Sequence, residues 1–174
     1  MVISSDFILK GEEWEKAINE LYRSKNNFFS KQIDLFILCL AIGIMYDERK
    51  ADQEFNSNRE VGQIPRSVLV SPKTNNLLDV FFQIAILSTT TLDLSDQQRM
   101  ILAFKEDDNL ETEDTNFSKT RFLIEYANYG VTKINPLIRN NALYSMQSLL
   151  DYLINEIRNY NIEDDIFKDL SLID

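Results

Sequence analysis

The sequence predicts an all-α, mainly helical fold. The expected form is a compact bundle of about six helices in a single domain spanning residues 1–174, with one long polar loop and room for one short strand or hairpin. Three observations lead there. Only four glycines and three prolines occur in 174 residues, so few tight turns are on offer for a sandwich or barrel. Apolar residues recur in steps of three and four along much of the chain. With 44% hydrophobic and 11% aromatic residues, a chain of this length can bury a real core.

The first helix is expected from Glu12 to Ser24. Trp14, Ala17, Ile18, Leu21 and Tyr22 fall on one face, and Glu12 and Glu13 in the first turn suit the helix dipole. The second should open on Ser30 as N-cap and run through Ile33, Leu35, Phe36, Ile37, Leu38, Leu40 and Ile42. A helix apolar on nearly every side belongs at the centre of a bundle. Gly43 either lets a neighbouring helix approach closely or marks where this helix weakens.

Residues 47–76 are the longest polar segment, with Arg49, Lys50, Arg59, Arg66 and Lys73 balanced by Asp47, Glu48, Asp52, Glu54 and Glu60. Within it RSVLV reads as a short strand or extended arm, and the segment as a whole reads equally as a contact surface or as a disordered loop. A third helix follows from about Asn76 to Leu87. A fourth opens on SDQQ, where Ser95 and Gln98 form a capping box and Met100, Ile101 and Phe104 supply the apolar face.

EDDNLETED, residues 106–114, reads as a solvated acidic connector. The fifth helix carries TRFLIEYANYG, with Phe122, Leu123, Tyr126 and Ala127 toward the core and Asn128 and Gly130 ending the helix. The last long helix spans Ala142 to Tyr160, with Leu143, Met146, Leu150, Leu153 and Ile157 as its core stripe, widened by Leu149 and Ile154. Residues 161–174 form an amphipathic acidic tail that keeps Ile166, Phe167, Leu170 and Ile173 among its acids.

The chemistry on offer is narrow. Twenty-eight acidic against eighteen basic residues leave a net charge of −10, whereas strong binding of DNA or RNA by one chain draws on a basic surface. Histidine is absent and cysteine occurs once. That removes a Ser-His-Asp triad, a Cys-His dyad and an internal disulfide, and leaves no donor set for a structural zinc. Cys39 sits inside LFILCLAIGIMY and reads as a small core residue. This run is about a dozen residues, short of the ~20 that span a bilayer. No signal pattern precedes it, so a soluble cytoplasmic protein is expected. No Walker loop or Gly-x-Gly-x-x-Gly occurs. No catalytic, cofactor-binding or metal residue is therefore named, and the chain is not expected to be an enzyme.

Two stretches together resemble a family. FFSKQIDLFILCLAIGIMYDERK and RFLIEYANYGV are similar to the small helical proteins called Dnd system-associated proteins, encoded with bacterial DNA phosphorothioation and phage-defence genes. There the second motif usually reads close to Phe-Glu-Glu-Tyr-Ala-Asn-Gly-Gly. Glu125, Tyr126, Ala127, Asn128 and Gly130 match it, and Tyr129 replaces the first glycine. Small subunits of Lamassu-type nuclease–ATPase complexes are similar in size and character. The resemblance implies a non-catalytic accessory or scaffold subunit of an antiphage defence complex, bridging a nuclease effector and a DNA-sensing or ATPase subunit. The alternative is a stand-alone small nuclease or nucleic-acid-binding factor associated with phosphorothioation. On the first reading the candidate partner-binding residues are Glu125, Asn128 and Tyr129 at one exposed corner, and Ile166, Phe167 and Leu170 in the tail.

Overall fold

The computed structural model describes residues 1–25, 27–54, 59–104, 109–112, 115–139 and 142–159. The chain divides into two compact units, Met1–Pro136 and Leu137–Asp174. It is mainly helical, as the glycine and proline counts led us to expect. In the first unit the elements run β1 (Phe7–Lys10), α1 (Glu12–Ala17), α2 (Gln32–Tyr46), β2 (Glu60–Ile64), α3 (Arg66–Leu69), α4 (Pro72–Ser88), α5 (Asp96–Phe104), β3 (Asn109–Thr112), β4 (Thr115–Ser118) and α6 (Lys119–Ile134). α7 (Ala142–Asn159) lies in the second. No helix among the described residues is long and apolar enough to cross a membrane.

Strands occupy two places where the sequence showed little periodicity. β1 pairs antiparallel with β2, Phe7 opposite Ile64, and turns Phe7 and Leu9 into the core. Four residues are too few for an alternation to stand out beside helical patterns. β3, within the acidic connector, pairs antiparallel with β4 directly after it, in register from Asn109 opposite Ser118 to Thr112 opposite Thr115. RSVLV is not a strand: Arg66–Leu69 is a helical turn. Pro65 has its φ at −60°, ready for a helix, and Asp6 Oδ1 accepts the Arg66 amide at 2.6 Å, a cap from sixty residues away. Arg66 Nε also donates to the Ile3 carbonyl at 2.8 Å, and Asn75 Nδ2 to that of Met1 at 2.9 Å. The N-terminal segment is thereby strapped along α3 and the start of α4.

The helices differ from expectation mainly at their ends. α1 continues into a π-helical turn, Ile18–Tyr22, which completes the expected first helix. α2 begins after Lys31, with no side-chain cap from Ser30, and ends on Asp47 in the left-handed region at φ 51°. α5 opens on the expected capping box: the Ser95 amide donates to Gln98 Oε1 at 2.8 Å, and the Gln98 amide to Ser95 Oγ at 3.3 Å. Its Met100, Ile101 and Phe104, however, are exposed, and Leu102 and Ala103 are the buried residues.

The core of the first unit is the crossing of α2 and α6. An ideal Cβ on Gly43 would lie 2.0 Å from the Tyr126 carbonyl oxygen, and one on Gly130 1.8 Å from that of Cys39. Residue 43 faces 126 while 130 faces 39, so the helices run antiparallel. Each glycine removes the side chain that would hold the backbones apart. Gly130 therefore does not end its helix, which continues to Ile134. A helix-interior glycine costs about 1 kcal/mol relative to alanine, and its use here is the close approach. Cys39, at the same crossing, is fully buried, and burial pushes its thiol well above its usual range. Around the crossing, Trp14 stacks on Phe36, which also meets Phe7, and Phe122 packs edge-on to Phe82 and Tyr126.

In the second unit, α7 has the expected extent to within a residue. Ser145 Oγ accepts the Arg139 amide at 2.8 Å and donates to the Arg139 carbonyl at 3.1 Å, clipping the helix to its lead-in. Of the stripe expected in a bundle core, Leu149 is buried, while Leu143, Met146, Leu150 and Ile154 are exposed. The stripe marks a helix face without saying what meets it. Tail residues Ile166, Phe167 and Leu170 lie outside the described residues.

Candidate functional site

The middle turn of α6 meets the chain leaving α2 at a polar corner, and the motif residues Glu125, Asn128 and Tyr129 gather here. Asn128 is not exposed, contrary to the sequence reading: its relative exposure is 1%. The cause is Trp14. A buried indole N–H needs an acceptor, and Trp14 Nε1 donates to Asn128 Oδ1 at 2.8 Å. The amide's two hydrogens are also used, Nδ2 donating to the Lys50 carbonyl at 3.1 Å and to Asp52 Oδ1 at 2.9 Å. One side chain thus ties α1, α6 and residues 50–52. Nor does Asn128 end the helix.

Glu125 lies on the next face, mostly buried. Its carboxylate accepts from Arg121 Nε at 2.9 Å, one helical turn away, and pairs with Arg49 at 3.6 Å. Its carbonyl accepts the Lys50 amide at 2.9 Å. The Arg49 guanidinium lies over Phe122 and Tyr126, 5.0 and 5.9 Å from the ring centres, and donates to Thr91 Oγ1 at 3.2 Å. Tyr129 is half-buried, tilted against Tyr46 at 6.1 Å, with Lys133 Nζ over both rings at 5.1 and 4.7 Å. A shallow depression of about 320 Å³ is lined by Asp52, Thr120, Arg121, Ile124 and Glu125.

Asp47 is the residue that sequence reasoning missed. Its left-handed backbone ends α2, and its carboxylate accepts from the Thr90 amide at 2.6 Å, Thr90 Oγ1 at 2.8 Å and Tyr126 Oη at 2.9 Å. Partial burial works to raise its pKa, but the hydrogen bonds from Thr90, Thr89 and Tyr126 outweigh it and hold the carboxyl below its usual value. Burial, with the neighbouring Asp47 charge, pushes Tyr126 up to about 12, so its hydroxyl stays a donor. The one sequence signal was Asp47's place directly after the apolar run. Chemically, the corner is a lock: Asp47 accepts from Thr90 and from Tyr126 of α6, and Asp52 from Asn128 of α6. Among the described residues no three acidic or sulfur side chains cluster as metal donors.

Elsewhere, large apolar side chains are exposed among the described residues. On α4, Leu77, Val80, Ile84 and Leu87 are exposed, Val80 and Ile84 by 48% and 49%, and α5 adds Met100, Ile101 and Phe104, the last at 60%. The α4–α5 turn beneath them is held by Arg99, whose guanidinium donates to the carbonyls of Ile86, Thr89, Leu92 and Leu94. No protein-family model, curated protein or solved structure matches the chain.

Proposed function

We propose that this chain is a non-catalytic accessory subunit of a bacterial antiphage defence complex, linking a nuclease effector to a DNA-sensing or ATPase subunit. The observation that carries the protein-binding part is the exposure of seven large apolar side chains on α4 and α5, two helices whose connecting turn is tied by Arg99. The defence setting rests on the resemblance of residues 28–50 and 121–131 to the Dnd system-associated proteins. The motif's most distinctive polar residue, Asn128, works inside the fold, so the motif builds the scaffold and the docking surface lies elsewhere.

The test is co-expression with the neighbouring genes. The tagged chain should co-purify in fixed stoichiometry with their nuclease or ATPase products, and its deletion should remove protection against phage. Ile84→Glu with Phe104→Glu should abolish co-purification at an unchanged melting temperature. Phage protection, or DNA cleavage, by the chain alone would overturn the reading in favour of an autonomous factor.

A further inference from the structure

We draw no further inference here: the strongest candidate, the exposed apolar face of α4 with Met100, Ile101 and Phe104 of α5, carries nothing beyond the reading above, because nothing in the structure shows what covers it.

Discussion

Asn128 shows how much one side chain can carry when every hydrogen-bonding atom is used. Its oxygen satisfies the Trp14 indole, and its nitrogen satisfies the Lys50 carbonyl and Asp52. Asn128→Leu would leave a buried indole N–H without its acceptor, at a cost of about 1–3 kcal/mol, and would release residues 50–52 as well. The expected loss is about 3 kcal/mol, read as a lower denaturant midpoint. Trp14 is the sole tryptophan, so its fluorescence reports the same event directly, with a red shift as water reaches the indole. An unshifted spectrum at wild-type stability would show that the bond is dispensable.

The pairing of α2 with α6 depends on two absences, the side chains of Gly43 and Gly130. In an exposed helix Gly→Ala stabilises by up to about 1 kcal/mol. Here the added methyl group meets a backbone carbonyl, which cannot swing away as a side-chain end can. Gly130→Ala should therefore reverse the sign and destabilise by about 2 kcal/mol or more, with Gly43→Ala similar. Both changes push the same two helices apart, so the double variant should cost clearly less than the sum of the singles. Additive losses in urea melts would contradict a shared crossing. α4 is the contrasting element: Leu78, Phe82, Ala85 and Ile86 are buried on one face, while Leu77, Val80, Ile84 and Leu87 are exposed on the other.

The molecule as a whole should be stable over a broad neutral plateau bounded by two groups at one corner. Asp47 has its pKa held down in the fold, so its contribution is present above the ordinary carboxylate range near 4 and is lost as pH falls through the lower folded value. Tyr126 is the opposite case. Its folded value of about 12 exceeds the ordinary 10, so the fold favours the neutral phenol, and stability falls as pH rises from 10 toward 12. Chemical denaturation across pH should show Asp47→Asn flattening the acid limb and Tyr126→Phe the alkaline limb. If neither limb changes, the corner does not set the pH range.

The helical class was legible in composition, because scarce glycine and proline with steps of three and four leave few other ways to bury so many apolar residues. The extent of α7, the C-terminal end of α4, the Ser95–Gln98 box and the burial of Cys39 were likewise readable, since propensity and capping act within a few residues, whereas α4 begins a turn earlier than expected, at Pro72. What Gly130 and Asn128 do was not readable. Both look like helix-ending residues in a local window, and both are explained by partners far along the chain, Cys39 and Trp14. The same holds for β1 with β2, whose pairing joins residues fifty or more positions apart, and for Asp6 capping α3. An apolar stripe announces only that a face avoids water. Whether Leu78 is buried while Val80 and Ile84 stay open was settled by which neighbours the tertiary fold supplied, because burial belongs to pairs of surfaces and periodicity to one.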